Sequence, residues 1–199
     1  MTDATPLSPA LRRMPLLYRH AWWSFRLFGR FYLRWRVVGA DRVPLEGPAI
    51  LAANHVSYLD PPLIGAAVGR PVHFLARSSL FRFPVFGGYI RRMQAVPVDR
   101  EGGTGGAGLK AVVDRLSAGG AVILFPEGTR SRDGQLQPVR AGVGLMVLKS
   151  AAPVIPIRLF GLYEAYGRHR LFPRPGPITL AFGPPLDFAV ARAEARQAD

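Results

Sequence analysis

Cysteine is absent from the 199 residues of this chain, which excludes disulfide bonds and thiolate metal sites. Lysine is nearly absent as well: only Lys110 and Lys149 occur, so arginine carries almost all of the positive charge. No uncharged apolar run reaches the roughly 18 residues that mark a membrane-spanning helix. The N-terminus also lacks the apolar segment of a signal peptide. The sequence therefore predicts neither a disulfide scaffold nor a helix that crosses a bilayer.

What remains is the composition of one globular domain with a strong positive charge. Hydrophobic residues make up 49% of the chain, which rules out a disordered protein. A length of 199 residues suffices for one domain with a core. The net charge of +13 comes from 26 basic residues against 13 acidic ones. This balance favours an anionic partner, of which nucleic acid, anionic lipid and a phosphorylated substrate are the main classes.

The first 35 residues have the pattern of an amphipathic helix after a frayed leader at 1–14. On a helical wheel, residues 15–35 place four arginines within an arc of about 80°, and most of the remaining circumference is apolar. Such a pattern is typical of a helix in the membrane interface, and a helix packed on its own domain is the alternative. The stripe consists of Arg19, Arg26, Arg30 and Arg34, and the apolar surface of Leu17, Trp22, Phe25, Phe28, Phe31, Tyr32 and Trp35.

Short apolar runs alternate with helical patterns along the rest of the chain. The runs that predict strands cover residues 36–40, 47–55, 71–76, 121–125, 153–157 and 178–182, and the helical patterns cover 61–68, 109–117, 141–150 and a short polar segment at the end. The segment around Pro84, Gly87 and Gly88 reads as turn-rich, residues 101–108 as a flexible connection and 160–175 as irregular. The alternation predicts one α/β domain over residues 36–199, with a mixed, mostly parallel sheet covered by helices.

A polar cluster ends the second apolar run, where Asn54, His55, Ser57 and Asp60 fall within seven residues. His55 has the chemistry of a general base, and Asp60 that of a carboxylate that orients it. Asp60 also precedes a helix, so a plain N-cap is the alternative role. On this stretch alone the cap is the favoured interpretation, although one carboxylate can serve both purposes.

A second polar loop, residues 125–134, follows the fully apolar run 121–125. In open α/β sheets, ligands usually bind at the edge where such loops emerge. Gly128 allows a ligand or a backbone segment to approach closely, and Arg130 can hold a phosphate by two parallel hydrogen bonds. The alternative is a charged surface turn with an ion pair between Glu127 and Arg130.

These segments together resemble the glycerolipid acyltransferases, the family of the lysophosphatidic acid acyltransferases. Residues 54–60 resemble the family's N-H-x4-D motif, and residues 83–88 with 98–100 its second block. Residues 125–131 match the third block, F-P-E-G-T-R-S, and residues 152–157 match the apolar fourth block. The resemblance extends over residues 36–187.

The resemblance implies transfer of an acyl group from acyl-CoA or acyl-carrier protein to the free hydroxyl of 1-acylglycerol-3-phosphate, which gives phosphatidic acid. His55 is then the general base and Asp60 fixes its tautomer. The thioester is a co-substrate, and neither a metal nor a further cofactor is implied. The family's second and third blocks bind the glycerol phosphate of the acceptor, which carries over to Arg100, Glu127, Gly128, Thr129 and Arg130, with Arg130 as the main phosphate ligand.

Two other functions stay open: the same chemistry on another lysophospholipid or a lyso-aminolipid, and a non-enzymatic basic module that binds membranes. The chain has no nucleic-acid reader motif. The predicted partners are therefore a lysophospholipid, a thioester donor and an anionic membrane surface, with a peripheral or monotopic location at the cytoplasmic face of the cell membrane. Arg77 and Arg140 stand where the family commonly has lysine, which keeps the charge and changes its geometry.

Overall fold

The computed structural model describes residues 7–98 and 105–198, in which seven strands form one sheet. The strands are β1 (Arg36–Val38), β2 (Ala49–Ala53), β3 (Val72–Arg77), β4 (Ala95–Val98), β5 (Ala121–Leu124), β6 (Val154–Phe160) and β7 (Thr179–Phe182). The α-helices are α1 (Pro9–Arg13), α2 (Leu16–Leu27), α3 (Asp60–Ala67), α4 (Pro84–Arg92), α5 (Gly105–Ser117), α6 (Ala141–Leu148), α7 (Leu162–Tyr166) and α8 (Ala189–Ala198). A π-helical turn, Phe28–Tyr32, continues α2, and 3-10 turns cover Ala40–Arg42 and Ser78–Arg82.

The sheet has the strand order β1-β7-β6-β2-β5-β3-β4, with every neighbouring pair parallel except β6 and β7. This confirms the predicted α/β fold with a mixed, mostly parallel sheet. Strand β2 lies between β5 and β6, and Ala52 near its end pairs with Leu124 at the end of β5. The loops that follow β2 and β5 therefore emerge side by side at the carboxyl edge of the sheet, where the two polar clusters meet.

Both faces of the central strands are buried, and successive residues alternate between them. Leu51, Ile123 and Ile155 pack on one face with α3, while Ile50 and Val122 pack on the other with α5 and α6. Covering on both faces explains why these strands read as unbroken apolar runs, which is the pattern that identified them in the sequence.

Several segments that were predicted to be irregular are helical. The predicted leader contains α1, whose N-cap Ser8 accepts a hydrogen bond from the amide of Leu11 at 3.1 Å. The predicted turn around Pro84 is α4, where proline occupies the first helical turn and Gly87 packs so closely on Phe81 that a Cβ would lie 2.6 Å from its carbonyl oxygen. Proline and glycine commonly break helices, but here Pro84 lies in the first turn of α4 and Gly87 allows the close contact with Phe81.

The other differences lie at element boundaries. Helix α5 begins at Gly105 instead of residue 109, and the rest of the predicted flexible connection lies outside the described residues. Strand β4 and helix α7 were not predicted, because each is short and β4 contains Pro97. Strand β6 continues to Phe160, beyond the predicted end at residue 157.

The N-terminal helix contacts the domain through part of the predicted apolar surface and one arginine of the predicted stripe. Trp22 donates a hydrogen bond from its indole nitrogen to the carbonyl of Val68 at 3.1 Å, and Arg26 donates to the carbonyl of Ala66 at 2.9 Å. Arg26 is buried, so the four arginines of the predicted stripe do not share one exposed face. The contact with α3 determines which side chains of α2 are buried. A helical wheel of the sequence does not show which face of the helix packs on the domain.

An apolar strip of α2 and the π-helical turn remains exposed. It consists of Leu16, Trp23, Leu27 and Phe31, of which Leu16 and Phe31 are more than 70% exposed (74% and 73%). Arg19, Arg30 and Arg34 are exposed as well. Within residues 7–98 and 105–198, no helix is both long and apolar enough to traverse a bilayer.

We predict that Asn54→Ala destabilises the fold by about 1–3 kcal/mol, because it leaves buried backbone groups unpaired. The Asn54 side chain accepts a hydrogen bond from the amide of Leu159 at 2.7 Å and donates one to its carbonyl at 3.3 Å, which ties the end of β2 to β6. Urea unfolding measures the change, with Gln197→Ala on the exposed side of α8 as the control amide. Equal free energies of unfolding for the two variants would show that this link contributes nothing.

Candidate active site

One carboxylate oxygen organises the loop after β2. Asp60 is fully buried, and its Oδ2 atom lies 2.7 Å from Nδ1 of His55, 2.7 Å from the amide of Val56 and 2.8 Å from the amide of Ser57. An oxygen that accepts two amide hydrogen bonds carries no proton of its own, so Nδ1 of His55 is the donor of the third. In the neutral ring, Nε2 is then the nitrogen with a free lone pair.

Asp60 does not cap the helix that it begins. Leu59 occupies the N-cap position, and the two residues after Asp60 are prolines, which have no amide hydrogen to donate. The first amide beyond them, that of Leu63, bonds to the carbonyl of Leu59 at 3.0 Å. The cap interpretation was therefore wrong, and the Asp60 side chain turns back to the preceding loop and to His55.

The environment of Asp60 makes these donors necessary. Burial raises the pKa of Asp60 above its ordinary value, while the hydrogen bond and charge of His55 and the amides of Ser57 and Val56 act in the opposite direction. Within the described part of the chain, its second oxygen, Oδ1, is buried without a hydrogen-bond partner. Such an atom is costly to desolvate, so the ionised form depends on the three donors at Oδ2.

The loop after β5 holds the backbone of His55 on both sides. Glu127 accepts a hydrogen bond from the amide of His55 at 3.0 Å through Oε1, and its Oε2 accepts one from the amide of Gln137 at 3.2 Å. The amide of Ser131 donates to the carbonyl of His55 at 2.7 Å. Glu127 is buried by these contacts, and the described residues contain no ion pair between it and Arg130, which was the alternative for this loop.

Aromatic and glycine contacts complete the support. The ring of Phe125 stacks on His55 with centroids 4.0 Å apart and an interplanar angle of 18°. Gly128 has a φ of +66°, and a Cβ there would lie 2.6 Å from Cδ of Arg140, whose Nε donates to the carbonyl of Glu127 at 3.3 Å. Gly128 thus makes room for a side chain of the protein itself.

A cavity of about 590 Å³ opens beside His55. Its polar end includes Thr129, Arg130 and Arg168, and Arg77 also borders it. The remaining wall is mainly apolar and comes from α2, α3, β3 and α4, with Trp22, Phe25, Leu75, Tyr89, Ile90 and Met93 among its residues. The cavity therefore joins a cationic end, a histidine and a long apolar wall.

The predicted site residues fall into three groups. His55, Thr129 and Arg130 border the cavity, while Asp60, Glu127 and Gly128 support the two loops from behind. Arg100 lies outside the described residues. Arg168 was not predicted, because it belongs to the basic segment 160–175 and to none of the motifs. No cluster of histidine and acidic side chains suited to a metal ion occurs in residues 7–98 and 105–198.

Known proteins resemble this chain in both sequence and structure. A chloroplastic 1-acyl-sn-glycerol-3-phosphate acyltransferase of Brassica napus is 32% identical over 127 residues, which cover 63% of this chain and 37% of that protein. The 1-acyl-sn-glycerol-3-phosphate acyltransferase of Bacillus subtilis is 26% identical over 158 residues, 77% of this chain and 76% of that protein. The crystal structure of the 1-acyl-sn-glycerophosphate acyltransferase PlsC from Thermotoga maritima matches this structure with a TM-score of 0.69 at 27% identity. The match covers 91% of this chain and 78% of the PlsC chain. The chain spans less than half the length of the Brassica napus and Arabidopsis thaliana relatives, 37% and 43% respectively.

The similarity includes the elements that build the site. The profile of the family described as Acyltransferase matches residues 34–159, which include both polar loops and all of β2 and β5. Because this match covers more than half of the chain, the protein belongs to the acyltransferase family.

Proposed function

We propose that the protein transfers a fatty acyl group from acyl-CoA or acyl-carrier protein to the free hydroxyl of 1-acylglycerol-3-phosphate, giving phosphatidic acid. The observation that carries this proposal is the hydrogen bond of 2.7 Å between His55 and the buried Asp60, at the cationic end of a cavity with an apolar wall. The names of the relatives, 1-acyl-sn-glycerol-3-phosphate acyltransferases, support the choice of acceptor.

In the proposed reaction, Nε2 of His55 removes the proton of the acceptor hydroxyl while the oxygen attacks the thioester carbonyl. The charge of Asp60 stabilises the imidazolium that forms, and the hydrogen bond at Nδ1 keeps the ring in the required tautomer. Collapse of the tetrahedral intermediate breaks the carbon–sulfur bond, and the leaving thiolate takes the proton back from His55. One carbon–oxygen bond replaces one carbon–sulfur bond, and no acyl-enzyme is needed.

The cationic end of the cavity suits the phosphate of the acceptor, and its apolar wall suits a fatty chain. Arg130 borders the cavity next to His55 and lies over the ring of Tyr58 at 3.4 Å, a contact that orients the guanidinium. A guanidinium binds phosphate through parallel hydrogen bonds, so we assign Arg130 to the acceptor phosphate and expect Arg77 and Arg100 to contribute charge. The apolar wall accommodates a fatty chain, since hydrocarbon is stabilised by apolar surroundings.

We further propose that the exposed apolar strip of α2 and the π-helical turn lies in the membrane interface at the cytoplasmic face of the cell membrane. Its apolar residues and neighbouring arginines fit the boundary between acyl chains and anionic headgroups. The hydroxyl of Tyr32 donates to the carbonyl of Pro173 at 3.0 Å, which connects the strip to a loop where Leu171 and Phe172 are 86% and 79% exposed. The same surface suits a membrane-binding module without activity, and the first experiment below separates that alternative.

We predict that His55→Ala lowers the turnover of acyl thioester with 1-acylglycerol-3-phosphate by about 10²–10⁴-fold, the usual contribution of a positioned base. Thiol release measures turnover, and circular dichroism with thermal unfolding checks the fold. His20→Ala serves as the control, because His20 is exposed on α2 and does not border the cavity. Turnover of His55→Ala equal to that of the control would rule out the proposed mechanism, and a folded wild-type protein that binds vesicles without turnover would favour the module.

We predict that the double change Trp23→Ser and Phe31→Ser weakens binding to vesicles of phosphatidylglycerol and phosphatidylcholine by about tenfold or more, since two large apolar side chains no longer enter the interface. Vesicle co-sedimentation measures the partition coefficient. Val190→Ser is the matched control, because Val190 is 74% exposed on α8 at the other side of the sheet. Undiminished binding of the double variant would place the membrane contact elsewhere.

A further inference from the structure

Arg168 is a cation at the polar end of the cavity that belongs to none of the sequence motifs. It follows Gly167 directly after α7, is exposed, and borders the cavity together with His55 and Arg130. Its Nη1 atom donates a hydrogen bond to the backbone carbonyl of Arg130 at 3.3 Å. The guanidinium of Arg168 is therefore held next to the loop that carries the proposed phosphate ligand.

The segment around Arg168 is fixed on that loop by further contacts. The hydroxyl of Tyr163 in α7 donates to the carbonyl of Arg132 at 2.6 Å, and the amide of Gly167 bonds to the carbonyl of Tyr163 at 2.7 Å. A Cβ at Gly167 would lie 2.5 Å from the same carbonyl oxygen, so the turn requires glycine. Arg170 donates from Nε to the carbonyl of Glu164 at 2.6 Å and closes the end of α7. These contacts hold in place the turn that carries Arg168.

The charges of Arg130 and Arg168 repel each other in the absence of an anion. Burial is the largest cause that lowers the pKa of Arg130, and the charge of Arg168 acts in the same direction, while Tyr58 and Asp60 act in the opposite one. Among the described residues, neither arginine forms an ion pair with a carboxylate. Arg168 has five N–H donors and uses one on the carbonyl of Arg130. Two neighbouring guanidinium groups with spare donors that border one cavity have the chemistry of a site for a doubly charged phosphate.

We propose that Arg168 is a binding residue that completes, with Arg130, a two-arginine clamp on the phosphate of the acceptor. This inference rests on the proposed function, because it names a further ligand of the same acceptor. The two groups approach from different elements, Arg130 from the loop after β5 and Arg168 from the turn after α7. Since the phosphate does not react, the clamp binds the ground state and the transition state alike, and its loss raises the acceptor KM more than it lowers kcat.

The test compares Arg168→Ala, Arg168→Lys and the control Arg174→Ala. Arg174 is exposed in the same segment and does not border the cavity, so its removal takes away the same charge without touching the clamp. For Arg168→Ala we expect an acceptor KM about tenfold higher or more with 1-acylglycerol-3-phosphate, an unchanged donor KM and a kcat close to wild type. Arg168→Lys regains part of the loss, and the slow acylation of 1-acylglycerol, which has no phosphate, is the same in all variants.

Isothermal titration with glycerol 3-phosphate measures the clamp without turnover, and we expect weaker binding for Arg168→Ala than for Arg174→Ala. Equal acceptor KM and equal binding for those two variants would overturn the role of Arg168, even if the wild-type protein acylates 1-acylglycerol-3-phosphate. A wild-type protein that acylates no phosphate-bearing acceptor contradicts the proposed function instead. In that case the titration still decides whether Arg168 binds phosphate.

Discussion

The three hydrogen bonds at Oδ2 of Asp60 are the interaction on which the rest of the site depends. A fully buried carboxylate is unfavourable in apolar surroundings, and the donors that offset this cost all come from residues 55–57. The chain must therefore fold back on itself between the end of β2 and the start of α3. The same hydrogen bonds that stabilise the charge set the tautomer and orientation of His55. The stability of this loop and the base role that we propose for His55 thus have one physical origin.

This loop is held in place by its neighbour in the sheet. Strands β2 and β5 are parallel and adjacent, so their carboxyl ends release both polar loops at one edge. Glu127 and Ser131 then bind the amide and the carbonyl of His55, which leaves the imidazole as the part of that residue that borders the cavity. The F-P-E-G-T-R-S segment accordingly has two tasks: Glu127 and Ser131 support the histidine, and Thr129 and Arg130 face the cavity. The family resemblance, which assigns residues 127–130 together to phosphate binding, does not distinguish these two tasks.

The sequence predicted the parts that depend on local pattern and missed those that depend on which surfaces meet. Unbroken apolar runs identified β2, β5 and β6, because burial on both sheet faces leaves a direct mark on composition. The proximity of His55 and Asp60 in sequence made their pairing predictable, yet the capping role failed because Pro61 and Pro62 offer no amide. The burial of Arg26 depends on the position of α3, and Arg168 lies in a segment without any periodic or motif signal. Tertiary contacts, which a single sequence does not contain, decided both cases.

The proposed mechanism depends on the negative charge of Asp60, which Asp60→Asn removes with little change of shape. Asparagine can place an oxygen where Oδ2 lies and keep the acceptor for the three donors, but it removes the negative charge that stabilises the imidazolium in the proposed reaction. The measurement is kcat for acyl transfer together with the free energy of unfolding in urea. We expect a loss of kcat of about 10²-fold or more, with a folded protein whose stability changes little. A variant that keeps wild-type kcat would show that Asp60 only shapes the loop and that its charge has no part in the reaction.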